Sequence, residues 1–331
     1  MGRIRVGVVG MGIMGEAHAK IYQNNEAVEL VGCVETFEQR RMQIAQMLDV
    51  PVYVTMDELL DRGVDAVSIC TPDNMHRDFV VKAFARNVKV LVEKPFDIST
   101  AACNAMLKAR PDPTYLMVGH DLRFDTRLIQ AKRAYASGKL GKLLYVNTRR
   151  CNSLASCRRI GSRASIVWFL GIHDIDAALW VTGLAIEEII SVAGFKYYND
   201  TWDCVTAAIR LEGGTLLQLD THWIHQDGSI TGCDAWFKMI GNKGSIDLNL
   251  LPHEGAYTYI DKGAGYFDTH YQPDDLFGIP SGDLRYQLEH FIDCVRYNKI
   301  PLTTGEQATE AVRVIEEIEK RLEMTGYRIR D

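Results

Sequence analysis

Gly10, Gly12 and Gly15 follow the run Val6-Gly7-Val8-Val9 in the spacing Gly-x-Gly-x-x-Gly, and Glu35 stands twenty residues after the last of them. In a strand–turn–helix setting each glycine has a physical task. Gly10 permits the tight turn, Gly12 lets the backbone approach a pyrophosphate, and Gly15 lets the helix pack closely on the strand. The N–H groups of the loop and helix start, with Met11, Ile13 and Met14 between the glycines, favour phosphate charge. Glu35 closes the second apolar run, Val28 to Val34. A carboxylate there accepts hydrogen bonds from ribose hydroxyls and repels a 2′-phosphate. The pattern predicts a bound dinucleotide, NAD in preference to NADP, with Arg40 and Arg41 close enough to keep the phosphorylated form open. A purely structural glycine turn is the plain alternative.

Two further segments stand at the carboxyl ends of apolar runs, where ligands lie in a doubly wound sheet. Thr71-Pro72-Asp73-Asn74-Met75-His76 follows the run ending at Cys70, so Thr71, Pro72, Asn74 and His76 are candidates to face the cofactor. Asp73 or Asn74 serves equally well as a cap for the helix that follows. His76 either touches the nicotinamide end or packs beneath it. Glu93-Lys94-Pro95 follows the next run, which places Glu93 and Lys94 on the same rim. An ammonium at Lys94 can steady the oxygen of a carbon undergoing hydride transfer. Pro95 holds Lys94 extended and is compatible with a cis peptide.

Gly171-Ile172-His173-Asp174-Ile175-Asp176 opens a helix further along. His173 and Asp176 share a face of it. Imidazole is the side chain best matched to proton transfer near neutral pH. Asp174 reads as a first-turn acid favourable to the helix dipole, whereas Asp176 reads as part of the site. Arg149, Arg150, Arg158, Arg159 and Arg163 crowd one segment of an acidic chain with net charge −6. They form either a solvated or oligomer-facing cluster, or a site for phosphate or carboxylate. Asn152, Trp168 and Arg123 are further candidates for a substrate pocket, alongside Arg149 and Arg163.

The elements that must position these groups fall into two textures. Residues 1–121 alternate strand and helix patterns, with strands at Ile4–Val9, Glu29–Val34, Ala66–Cys70, Lys89–Val92 and Leu116–Val118. This predicts a doubly wound parallel sheet. Residues 122–331 predict a second, α+β domain on a mostly antiparallel open sheet. It has a helix at Thr126–Ser137, an irregular loop at Cys151–Ile166, and a hairpin turn at Glu212-Gly213-Gly214. Two helices close the chain. At 331 residues and 47% hydrophobic content, the chain can hold two cores. Its acidic balance gives no reason to expect nucleic acid or an anionic membrane as partner. The early buried strand leaves no expected signal peptide, and no apolar run is long enough to span a bilayer. The eight cysteines form no Cys-x-x-Cys pair, as in a reduced cytoplasmic protein. Cys151 and Cys157 with His173 can be drawn as a metal site, but no metal is expected.

Together these motifs resemble the Gfo/Idh/MocA family of nicotinamide-dependent, mostly sugar-directed oxidoreductases. The likeness also takes in Val118-Gly119-His120 with Arg123-Phe124, Gly241-Asn242-Lys243-Gly244 and Pro301-Leu302-Thr303-Thr304-Gly305. It implies a Rossmann domain followed by an open-sheet domain that commonly forms homodimers or homotetramers. It also implies hydride transfer between nicotinamide and a secondary alcohol carbon of a sugar or polyol. By position, Lys94 matches the family's active-site lysine, His173 its proton-transfer histidine, and Asp176 an acid that often touches substrate hydroxyls. One departure concerns the aspartate common four residues before the histidine, which is Phe169 here. The resemblance leaves two other activities open: redox-neutral glycoside cleavage with retained NAD, and a silent NAD-binding sensor.

Overall fold

The computed structural model describes residues 2–228, 234–251, 256–259, 263–266 and 278–330. The chain divides into two compact units, Met1–Phe124 with Tyr271–Val312, and Asp125–His270 with Arg313–Asp331. A single boundary after residue 121 therefore does not describe the chain, because it re-enters the first unit. The reason lies in the helix Gly282–Tyr297, which buries Leu284, Leu288, Phe291 and Ile292 in the same core as Val6, Val8, Ala17 and Ile21. A periodic apolar face shows that a helix is buried but not which core receives it.

In the first unit six strands form one parallel sheet. They are β1 (Ile4–Val9), β2 (Val28–Val34), β3 (Val52–Tyr53), β4 (Ala66–Ile69), β5 (Lys89–Glu93) and β6 (Leu116–Gly119). Their order is β3-β2-β1-β4-β5-β6, with every pairing parallel. The order reverses between β1 and β4, which opens the crevice where such sheets bind ligands. Strands β4 and β6 are buried at every position, as expected of strands covered on both faces. Helices α1 (Ile13–Gln23), α2 (Glu38–Leu48), α3 (Met56–Leu60), α4 (His76–Ala85) and α5 (Thr100–Ala109) connect them. Strand β3 went unforeseen, since two residues carry no readable period.

The second unit is built on a seven-stranded mixed sheet. Its strands are β7 (Leu143–Ser153), β8 (Ile186–Lys196), β9 (Cys204–Leu211), β10 (Thr215–His225), β11 (Asp234–Gly241) and β12 (Ser245–Asn249), with a short β15 (Tyr327–Arg328). The order is β12-β11-β7-β10-β9-β8-β15. The β7–β10 and β8–β15 pairs are parallel and the others antiparallel. Strands β13 (Ala256–Tyr259) and β14 (Gly263–Tyr266) form a separate antiparallel pair. Helices α6 (Thr126–Ala136), α7 (Leu154–Ile160) and α8 (Ile172–Thr182) belong to this unit, and α7 and α8 pack on β7 and β10. The expected loop Cys151–Ile166 is mostly ordered instead. Strand β7 continues to Ser153 because β10 and β11 pair with it on both sides, and α7 follows at once.

Candidate active site

The glycine turn between β1 and α1 has the shape that a pyrophosphate requires. Gly10 adopts φ +88, and a Cβ there would lie 2.8 Å from the Cys70 carbonyl oxygen. A Cβ on Gly15 would lie 1.9 Å from the Gly10 carbonyl oxygen, so only glycine lets α1 close on the turn. A Cβ on Gly12 would meet nothing within 4 Å, which leaves the outer side of the turn open. Gly12 is also the N-cap of α1 and no side chain caps it, so the helix start keeps its N–H groups for an anion. Met11 is buried, Ile13 is exposed beside the turn, and Met14 packs against the core. These features fit a dinucleotide.

At the end of β2, Glu35 is half-buried and its Oε1 accepts the Phe37 backbone N–H at 2.9 Å. Neither nearby arginine stands ready for a 2′-phosphate. Arg40 donates to the Met11 carbonyl at 3.1 Å and pairs with Glu16 at 2.6 Å. Arg41 donates to the carbonyls of Glu35 and Thr36. Arg40 thus braces the glycine turn from behind rather than reading the ribose. Glu35→Ser should lower the NAD-over-NADP preference in kcat/KM by about tenfold or more, each tenfold being about 1.4 kcal/mol. Steady-state kinetics with both cofactors checks this.

On the rim formed by β4 and β5, the sequence candidates take different roles. Neither Asp73 nor Asn74 caps a helix through its side chain. Pro72 and Asn74 are exposed, and the Thr71 hydroxyl is buried with no hydrogen-bond partner among the described residues. His76 is fully buried, which favours packing beneath the nicotinamide end over direct contact. Its Nδ1 lies 3.0 Å from the Pro95 carbonyl and its Nε2 lies 3.0 Å from the Thr71 carbonyl. It ties the Thr71 loop to the Lys94-Pro95 turn, whose peptide bond is cis.

Glu93 is buried, with its carboxylate turned towards His18 and Gly119. Its Oε1 sits 3.2 Å from His18 Nε2, and a Cβ on Gly119 would lie 2.9 Å from the same oxygen. His18 Nδ1 lies 3.5 Å from Cys70 Sγ, and burial holds that thiol well above its ordinary range. Beneath the rim lies a polar strut of Cys70, His18 and Glu93, with Lys94 half-buried directly after it. His18 was missed in the sequence. Its signal was a place one helical turn before Tyr22 on the buried face of α1, and the two rings meet edge-on at 6.3 Å.

In the second unit a five-residue π-helical stretch, Val167–Gly171, runs into α8 and delivers His173 at its start. Such widened turns recur at functional sites. His173 is half-buried and Asp176 is buried. Asp174 is the first-turn acid of α8, as its position in the sequence suggests. It is fully buried and receives Nε and Nη2 of Arg150 at 3.1 and 3.3 Å. Burial pushes its carboxyl up, against the pull of that guanidinium. Removing one member of such a pair leaves an uncompensated buried charge. Arg150→Met should therefore cost about 3–5 kcal/mol of stability, measurable by urea unfolding.

The other arginines each take a separate partner or face solvent, as in a solvated cluster. Successive residues of a strand face opposite ways, so Arg149 lies across the sheet from Arg150. There it pairs with Asp234 at 2.6 Å. Arg158 pairs with Asp227. The Arg159 guanidinium lies 5.9 Å from the ring centroid of Phe169, which in turn packs 6.1 Å from Trp223. Arg163 is exposed. Asn152 is half-buried, and its Oδ1 accepts the Ser153 N–H. Trp168 and Arg123 are buried, with donors already engaged inside their own units. The Trp168 indole donates to Glu319 at 2.7 Å from a buried position. Arg123, 2% exposed, donates to the Leu302 carbonyl and to Gln307. Cys157 is drawn to Asp203 and Asn199, so the Cys151–Cys157–His173 metal set does not form.

The reversed parallel sheet and its glycine cradle define the class of dinucleotide-binding α/β proteins. Residues 4–120 match the model of the oxidoreductase family with an NAD-binding Rossmann fold, and residues 128–247 match the GFO/IDH/MocA C-terminal domain. The chain belongs to the Gfo/Idh/MocA oxidoreductase family. The scyllo-inositol 2-dehydrogenase (NAD(+)) of Bacillus subtilis (strain 168) is 28% identical over 327 residues, covering 93% of this chain and 90% of that protein. The rhizopine catabolism protein MocA of Rhizobium meliloti is 31% identical over 324 residues, covering 96% and 94%. The crystal structure of scyllo-inositol dehydrogenase from Lactobacillus casei with bound NAD(H) and scyllo-inositol shares the fold. Its TM-score is 0.81 at 18% identity, over 98% of each chain. Among the described residues, no helix is long and apolar enough to cross a membrane.

Proposed function

We propose that this chain is an NAD-dependent oxidoreductase acting on a secondary hydroxyl or keto carbon of a sugar or cyclic polyol. The observation that carries the reading is a lysine, Lys94, at the carboxyl end of β5, on the same sheet rim as the Gly10–Gly15 cradle. A dinucleotide site alone fits many activities. A cation set on the ligand side of the same sheet fits one in which charge develops on an oxygen. When bound, NAD supplies a nicotinamide that accepts or returns a hydride.

The remaining chemistry belongs to the chain. Gly10 to Gly15 hold the pyrophosphate through backbone N–H groups, and Glu35 holds the adenosine ribose. Lys94 stabilises alkoxide character on the substrate oxygen. His173 takes the hydroxyl proton through its imidazole, with Asp176 three residues on to contact substrate hydroxyls. Phe169, against Trp223 and Arg159, supplies no carboxylate to this relay, so Lys94 and His173 carry it without one. The arginine pairings favour a neutral substrate over an anionic one. We also infer a cytoplasmic homodimer or homotetramer formed through the outer face of the second sheet. There Trp236 and Ile240 are exposed, and the described cysteines are free thiols, as a reduced compartment keeps them.

The test is a panel of inositols, neutral sugars and anionic sugars incubated with NAD, reading NADH absorbance together with product. NADH formed one-for-one with ketone is expected, with a cyclic polyol among the best substrates. Product without NADH would replace this reading by a redox-neutral cycle. NAD binding without turnover of any substrate would point to a sensor.

A further inference from the structure

On the second sheet three metal-ligating side chains converge. Cys151 of β7 and His222 of β10 are register partners in the parallel pair. The regular register breaks between His222 and His225. An irregularity of this kind shifts the alternation of a strand, and it brings the two rings within 4.9 Å of each other. One ligand atom from each of Cys151, His222 and His225 lies within 4.8 Å of the other two. Cys151 is on the face opposite Arg150, and therefore opposite the Asp174 end of α8. We propose that Cys151, His222 and His225 form a binding site for a zinc-class divalent cation.

A second observation points to a ligand. His222 Nδ1 and His225 Nε2 are shielded from solvent, and neither has a hydrogen-bond partner among the described residues. Buried nitrogens are nearly always paired, and coordination supplies the missing partner. One thiolate and two imidazoles are a donor set suited to Zn²⁺, with the fourth tetrahedral position left for water. Hard, oxygen-preferring cations such as Mg²⁺ and Ca²⁺ are disfavoured by the same set. Coordination releases the thiol proton of Cys151 to the buffer, because the thiolate is the ligand. Asp220 and Asp234 are near enough to act on the Cys151 thiol, and Arg149 is already paired with Asp234. The Arg149 guanidinium also reaches the Cys151 sulfur and acts on His222, so a cation entering here is drawn by the two carboxylates and displaces that guanidinium from the sulfur.

The test uses the untagged full chain, stripped with chelator and titrated with Zn²⁺ alone by calorimetry. One saturable equivalent per chain is expected. Cys151→Ser and His225→Gln should each weaken it by at least about tenfold, since even loss of an outer-shell partner costs about 10–100-fold. Loading with Co²⁺ should give thiolate-to-metal charge-transfer absorption that vanishes in Cys151→Ser. NADH-forming turnover should persist in both variants, which separates this site from the proposed active site and reports that the variants fold. Absence of saturable binding would overturn the proposal. So would binding unchanged in both variants, which would mark adventitious surface histidines.

Discussion

His173→Ala loses roughly 10²–10⁴ in kcat, the usual contribution of a positioned general base. The substituted side chain cannot take the hydroxyl proton, and Asp176, buried one turn further along α8, is assigned to hydroxyl contact rather than to the proton step. The acid limb of the pH–rate profile should disappear with the imidazole. The affinity for NAD should stay near that of the unsubstituted protein, because the cradle residues belong to the first unit. Single-turnover kinetics with a substrate from the polyol panel, followed across pH, measures both effects. A variant that keeps its turnover and its acid limb would remove His173 from the proton step.

Lys94→Ala is expected to lower kcat by roughly 10²–10³, the range seen when one preorganised charge-stabilising donor is removed. Because the ammonium acts mainly where charge develops, kcat and kcat/KM should fall together. Glu93 should remain seated on His18 and Gly119, so the melting temperature and NAD binding should change little. The contrasting variant is Glu93→Ala. It leaves His18 buried without its carboxylate partner, and it should lower stability as well as turnover. Thermal melts run beside the kinetics distinguish a group at the reacting atoms from one that supports the rim.

Most of the first unit could be read from the chain because its signals are local. The first two apolar runs, the glycine spacing and the acid after β2 all lie within about forty residues, and each predicts one conformational requirement. What escaped was whatever depended on distant partners. His76 was placed at the right loop, but its burial between the Thr71 and Pro95 carbonyls follows from how two strand ends meet. Trp168 and Arg123 had the residue types of a binding site, yet Glu319 and Gln307, more than a hundred residues away, claim their donors. The arginine segment shows the same limit. Once β7 is known to run to Ser153, the alternation of a strand sends Arg149 and Arg150 to opposite faces. That extension depends on pairing with β10 and β11 and not on local sequence. The helix Gly282–Tyr297 was recognised as a helix, but its destination in the first core was not.

Hydride transfer itself is the claim on which the proposed function stands. The most direct measurement uses the best polyol of the panel carrying deuterium at its carbinol carbons, incubated with NAD, followed by mass spectrometry of the cofactor. One deuterium recovered on the nicotinamide ring for each ketone formed is the expected result, with a slowed rate if the chemical step limits turnover. Ketone formed with no label on the nicotinamide, its deuterium lost to water, would contradict the proposed reaction.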